Sequence, residues 1–208
     1  MPITIYALKS RFQALLRPLV RVLHGLGVTA NGVTLAACAV SLLLGAALCR
    51  WSEHRRLFLL LPALLFIRMA LNAIDGMLAR EFGQKSNLGA FLNELTDVLS
   101  DAALYLPFAF LPHFNWLEVT LVIFLAMVSE MAGTVAVMIG ATRRYDGPMG
   151  KSDRAFVFGA LGLAIGLGMQ PAGWQRGIFP VIALLLGVTI INRIRTALAQ
   201  GDSESDRI

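Results

Sequence analysis

The residues best suited to chemistry lie in two stretches joined by a short connection. The first runs from Arg68 to Arg80 and holds Asn72, Asp75, Gly76 and Ala79; the second carries Gly89, Asn93, Asp97 and Asp101 at intervals of four. Residues three or four apart share a helix face. Asn72 and Asp75 therefore project together, with Gly76 and Ala79 extending their face, and Gly89 to Asp101 form one stripe. The segment Glu81 to Ser86 is short enough to make the two helices antiparallel neighbours, so the stripes can face each other across one cavity. Carboxylates that close raise one another's pKa unless a cation sits among them. Oxygen ligands without sulfur or imidazole suit magnesium, manganese or calcium. Gly76, Ala79 and Gly89 leave room for a flat base or a phosphate to approach the backbone, although small residues also serve close packing of membrane helices. Asp101 lies about 6 Å further along the helix than Asp97 and is expected to pair with Arg68. Glu94 is about 100° around the helix from Asn93 and points elsewhere.

The elements that carry these residues are apolar. Of 208 residues, 57% are hydrophobic and 15% charged, against about a quarter charged in a soluble domain. The apolar residues form charge-free runs such as Thr34 to Cys49, Leu57 to Ile67, Ala155 to Gln170 and Ile178 to Ile191. A helix needs about 20 residues to cross the hydrocarbon core, and several runs reach that length only by taking in polar residues at one end. The sequence predicts an all-α polytopic membrane protein with six transmembrane helices at 31–49, 57–79, 88–111, 115–141, 154–172 and 177–199. An interfacial amphipathic helix within 1–27 precedes them, in which Leu15, Leu16, Leu19 and Leu23 recur at helical spacing while Lys9, Arg11, Arg17 and Arg21 lie mostly on other faces. Residues 1–199 are expected to form a single domain, and 200–208 a short, polar, disordered tail.

With the N-terminus inside, thirteen basic residues fall on inner segments and four on outer ones. This places both termini and the polar cluster in the cytoplasm, at the inner membrane; Arg50, Arg55 and Arg56 run against the rule. The net charge of +5 then reflects that bias and attraction to anionic lipid. No basic face carries the interleaved aromatics of a nucleic-acid binder. Cys38 and Cys49 share one span and suggest no disulfide framework, and His24, His54 and His113 are too isolated for a histidine metal site.

A second polar cluster, Arg143 to Arg154, joins the fourth and fifth expected spans and reaches the same cytoplasmic level as the acids. Arg and Lys are natural phosphate binders. Positive-inside topology accounts for charge here, but not for the compact Pro148-Met149-Gly150-Lys151-Ser152-Asp153-Arg154 run. Glu130, alone within the fourth span, either faces the interior and pairs with a polar group or marks a break between half-spans. Tyr105 continues the Gly89 stripe and is expected to pack.

The first cluster resembles the signature of the CDP-alcohol phosphotransferases, D-x-x-D-G-x-x-A-R followed after about eight residues by G-x-x-x-D-x-x-x-D. Asp75, Gly76, Ala79, Arg80, Gly89 and Asp97 match at that spacing. The stretch Thr29 to Thr34 is similar to the family's T-P-N-x-x-T entry to the first span. Asn72 and Asn93 stand where the family has its first and third aspartates. An asparagine offers a carbonyl oxygen without charge, so the resemblance leaves open two metals, one, or none. It implies metal ligation (Mg2+ or Mn2+) by Asn72, Asp75, Asn93 and Asp97, with Asp97 also the general base. It further implies nucleotide contacts from Asn31, Thr34, Gly76, Ala79, Arg80 and Gly89, acceptor-phosphate contacts from Arg143, Lys151 and Arg154, and a homodimer.

The activity so implied is transfer of a phosphatidyl group from a CDP-linked donor, CDP-diacylglycerol, to a polar alcohol with release of CMP. The alternative expectation is a degenerate member of the same fold, serving as a nucleotide- or lipid-binding or partner subunit. A prenyltransferase does not fit, because Asp is absent after Asn72 and D-G-x-x-A-R is wrong for it. A transporter should show polar residues through both leaflets, and the outer halves here are plain.

Overall fold

The first helix, α1 (Ile5–Gly25), has no interior of its own and must bury one stripe elsewhere. Val20 is fully buried, and Leu16 and Leu23 are partly so, against Ile74, Met77 and Leu78. Leu15, Leu19, Val22 and Leu26 remain exposed. An ion pair at 3.0 Å between Arg17 and Glu81 ties α1 to the end of the helix it lies on. Six further helices complete a computed structural model that describes residues 5–112, 114–169, 173 and 175–205. They are α2 (Ala30–Arg50), α3 (Leu60–Glu81), α4 (Asn87–Tyr105), α5 (Trp116–Val135), α6 (Lys151–Gly166) and α7 (Gln175–Ser205). Among the described residues the fold is all-helical. His113, residues 170–172 of the expected fifth span, and Arg207 with the rest of 206–208 lie outside them.

Among the described residues, four stretches are long and apolar enough to cross a membrane: Ala30–Arg50, Arg55–Glu81, Trp116–Ile139 and Arg176–Gly201. They coincide with four of the six expected spans. The other two differ for identifiable reasons. The expected 88–111 span carries Glu94, Asp97 and Asp101, and its α-helix stops at Tyr105 before a 3-10 turn, Leu106–Phe110. Pro107 causes the change, since it has no N–H to give to the carbonyl of Ala103. The expected 154–172 span is a helix of 16 residues, Lys151–Gly166, which covers about 24 Å at 1.5 Å per residue. The segment expected to be a disordered tail is helical as far as Ser205, because adding turns to an existing helix costs far less than starting one.

Small residues set how closely the helices pack. The carbonyl of Ala103, released by Pro107, is met by Gly45 of α2, where a Cβ would come within 2.3 Å of it. On α6, Gly159, Gly162 and Gly166 form a stripe against α3 and the 3-10 turn Arg55–Leu59; a Cβ at Gly166 would sit 2.6 Å from Leu59. The apolar core lies at this end of the bundle, around Leu48, Phe58, Tyr105, Phe108, Phe158 and Phe179. Tyr105 stacks on Phe158 with ring centroids 3.7 Å apart, as its expected packing role requires. Large apolar side chains such as Leu43, Phe66, Phe91, Phe124 and Leu184 stay exposed on the outer surface, a pattern that marks contact with lipid or with another protein.

Gly45→Ala should destabilise the purified protein by about 1–3 kcal/mol through overpacking. Gly187→Ala should be close to neutral, since a Cβ there meets nothing within 4 Å. Unfolding midpoints in detergent compare the two.

Candidate active site

The site is assembled at the polar ends of α2, α3 and α4. In the entry to α2, three residues do three different jobs. The Thr29 hydroxyl caps the helix by accepting from the Gly32 amide at 3.1 Å. The Asn31 side chain lies against Gly89, where a Cβ would come within 2.8 Å of its Oδ1. Thr34, buried, donates its hydroxyl to Asp75 Oδ2 at 2.8 Å. Gln84 fastens the same helix end by accepting from the Ala30 amide at 2.7 Å. Gly89 is thus needed for the approach of α2 to α4, and Gly76 is covered by the side chain of Arg80 folding back along α3.

The stripes of α3 and α4 do face each other. Asn72 Nδ2 donates to Asp97 Oδ1 at 3.2 Å, and Asn93 lies half-buried one turn before Asp97. Asp97 is also reached by Arg68 at 3.5 Å on Oδ1 and by Lys151 on Oδ2. Arg68 pairs with Asp101 at 2.8 Å, the partnership the sequence predicts. Thr34 is thus joined to Asp75 and Asn72 to Asp97, with Ala79 and Arg80 about one turn beyond Asp75 and Gly89 against Asn31 two turns before Asp97.

The loop after α5 joins this cluster. α5 ends in a 3-10 turn closed by Gly140 in the left-handed region (φ 80°), as glycine permits. The chain is then pinned twice to the bundle: the Arg144 amide donates to the Gly133 carbonyl at 3.1 Å, and the Met149 amide to Thr189 Oγ1 at 3.0 Å. Asp153 accepts from the Gly150 amide at 3.0 Å and so caps α6. This cap explains the compact run noted in the sequence, because it sets Lys151 and Arg154 on one face of the first turn. Arg144 holds Asp146 through bonds of 2.7 and 2.9 Å and keeps its carboxyl below the ordinary carboxylate range. A depressed carboxylate contributes stability above its unfolded pKa and loses it as pH falls through the folded value. This fastening therefore persists at neutral pH and fails only in acid.

Arg154 is fully buried, with Nη2 at 3.0 Å from Asp101 and 2.9 Å from Glu130. Glu130 also pairs with Arg143 at 3.3 Å and Arg193 at 3.5 Å, which resolves its role in favour of the interior. Arg143 pairs in turn with Glu94 at 2.6 Å. A continuous chain of opposite charges thus runs from Lys151 through Asp97, Arg68, Asp101, Arg154 and Glu130 to Arg193, Arg143 and Glu94. Sequence reading assigned Arg193 to topology alone. The signal that could have found it is periodic: Phe179, Ile182, Leu186, Thr189, Arg193 and Ala197 form the buried stripe of α7, so Arg193 stands at an inward position.

The donor set bears on metal content. Among the described residues, no three His, Cys, Asp or Glu side chains converge as a metal site. Asp75 and Asp97 supply two carboxylates, of which Asp97 is shared with Lys151 and Arg68, and Asn72 and Asn93 can add neutral carbonyls. A second ion would stand unbalanced beside Lys151 and Arg68. Two carboxylates and two amide carbonyls make a donor set for one ion.

A profile of the CDP-alcohol phosphatidyltransferase family matches residues 27–190, and the chain belongs to that family. It is 51% identical over 195 residues to inner membrane protein YnbA of Escherichia coli K12, covering 94% of this chain and 96% of that protein. It is 31% identical over 139 residues to archaetidylinositol phosphate synthase of Pyrococcus horikoshii, covering 62% and 71%. The Mycobacterium tuberculosis phosphatidylinositol phosphate synthase PgsA1 shares the fold. Its structure with CDP-DAG bound aligns with a TM-score of 0.71 at 20% identity, covering 86% of this chain and 92% of that one. Its complex with manganese and citrate aligns equally well, at 19% identity, covering 87% and 88%.

Arg68→Met or Asp101→Leu alone should cost about 3–5 kcal/mol by leaving buried charge short of a partner. The double substitution should cost clearly less than the sum of the two. Reversible denaturation of all four forms in detergent gives the coupling.

Proposed function

We propose that the protein transfers a phosphatidyl group from CDP-diacylglycerol to a polar alcohol and releases CMP. The observation that carries this reading is the placement of Asp75 and Asp97, on facing helices, between Thr34 and Asn72 and beside Gly76 and Gly89. Thr34 bonds to Asp75 and Asn72 to Asp97, which supports a shared role for these motif residues. The neighbour PgsA1, whose structure was solved with CDP-DAG bound, supports the donor, and its manganese complex supports the metal.

In this reading Asn31, Thr34, Gly76, Ala79, Arg80 and Gly89 hold the cytidine nucleotide. Asp75 and Asp97, with the carbonyls of Asn72 and Asn93, hold one Mg2+ or Mn2+ ion, which when bound neutralises pyrophosphate charge. Asp97 takes the proton from the acceptor hydroxyl. The alcohol oxygen bonds to the phosphorus that carries diacylglycerol, the bond from that phosphorus to the oxygen of CMP breaks, and CMP leaves with the electron pair. A cavity of about 710 Å³ between α3 and α6 has Arg68, Asn72, Asp101 and Lys151 at its polar end and Leu65, Phe66, Phe156 and Leu163 along its walls. Its chemistry suits a charged headgroup carrying acyl chains. We place α1 in the membrane interface, α4 and α6 with the four apolar stretches as six spans, and both termini and the site on the cytoplasmic side of the inner membrane. A second copy of the chain would complete a homodimer.

A second reading, a binding or partner subunit without turnover, rests on one observation: Asp97 is already satisfied by Lys151, Arg68 and Asn72. Release of CMP from CDP-diacylglycerol by purified protein, with manganese and an alcohol, separates the two. The transferase should turn over, and Asp97→Asn should slow it by about 10²–10⁴-fold, the scale of a lost general base. Equal rates for the two proteins would exclude Asp97 as the base, and no release with any alcohol would favour the second reading.

A further inference from the structure

The cations expected to take an acceptor phosphate already have partners, and the pattern of those partners bears on the acceptor itself. Arg68, Arg143, Lys151, Arg154 and Arg193 are each within ion-pair distance of a carboxylate belonging to Glu94, Asp97, Asp101 or Glu130. Glu130 sits at the centre: its two oxygens meet Arg154 at 2.9 Å, Arg143 at 3.3 Å and Arg193 at 3.5 Å. The guanidinium groups of Arg154 and Arg193 face inward, and both side chains are 1% exposed. Their other bonds go to Ser129, Met149 and Asp146 within the protein, while Nε of Arg154 is buried without a partner.

A phosphate monoester carries close to two negative charges near neutral pH. To be held by Arg143, Arg154 or Arg193 it would have to draw them off Glu130 and Asp101, leaving those carboxylates bare in a low-dielectric interior. An alcohol without phosphate needs only hydrogen bonds. The cavity rim supplies these from Asn72, Lys151 and Ser152, and Lys151 is the most exposed of the five cations at 33%.

Building on the transferase reading, we propose that the acceptor is a polar alcohol bearing no phosphate, and that Glu130 sets this specificity by occupying the arginines that would otherwise form an anion seat. The test has two arms. In the first, CMP release from CDP-diacylglycerol is measured with glycerol and myo-inositol against glycerol 3-phosphate and inositol 1-phosphate. Each phosphorylated acceptor should be poorer in kcat/KM by about 100-fold or more, the scale of a like-charge penalty; equal or better use of one overturns the proposal.

The second arm needs no turnover, so it tests the role of Glu130 separately from the transferase reading. Inorganic phosphate is titrated by calorimetry into the purified protein and into Glu130→Gln. The wild type should bind none at millimolar phosphate, and the variant should gain binding. Glu94→Gln, at the half-exposed rim beside Arg143, provides a milder variant should Glu130→Gln not fold. Phosphate binding by the wild type, or no gain in a folded variant, overturns the proposal.

Discussion

Charge balance inside the polar half of the bundle is the constraint on which the rest of the structure depends. Charges removed from water must be paired and hydrogen-bonded or they cost several kcal/mol each. Here Arg154 bridges Asp101 and Glu130 while almost fully buried, and through them it links α4, α5 and α6. Arg68 extends the same chain to α3 and Arg193 extends it to α7. The network therefore fixes five helices relative to one another at the end where α2 brings Thr34 and Asn31 to the site. Removing any single member would leave charge behind, so the arrangement specifies one packing more than it adds net stability.

The opposite end of the bundle is held by different physics. There the aromatic core around Phe108, Phe158 and Phe179 and the glycine stripe of α6 pack the helices without charged groups. The release of the Ala103 carbonyl by Pro107, and its contact with Gly45, lies toward this end, where a weak Cα–H contact can satisfy it in part. The site is thus built on rigid elements, with an apolar floor beneath and an ionic wall on one side. The groove between α3 and α6 opens along that wall.

Much of this was legible in the sequence because it is periodic. Asn72 with Asp75, and Gly89 with Asn93, Asp97 and Asp101, announce two faces that must meet, and Arg68 one turn away announces a partner for Asp101. What the sequence could not convey is which charge meets which across helices distant in the chain. Arg193 and Glu130 are separated by more than sixty residues, and only the fold brings them to one spot. The pairing of Lys151 with Asp97, and of Arg154 with Asp101 and Glu130, was not legible, since residue type does not reveal whether a cation is already engaged. The early end of α4 turns on Pro107, which a hydropathy reading passes over because proline does little to the average of its apolar surroundings.

The central claim is that the altered motif still builds a donor site around Asp75, with room for one divalent ion. The most direct measurement is binding of CDP-diacylglycerol to the purified protein in detergent, with and without Mn2+, for the wild type and Asp75→Ala. Binding that requires the metal and is lost in Asp75→Ala is what the account predicts. Binding indifferent to metal, or none in either form, would contradict it and leave the two asparagines as the marks of a dismantled site.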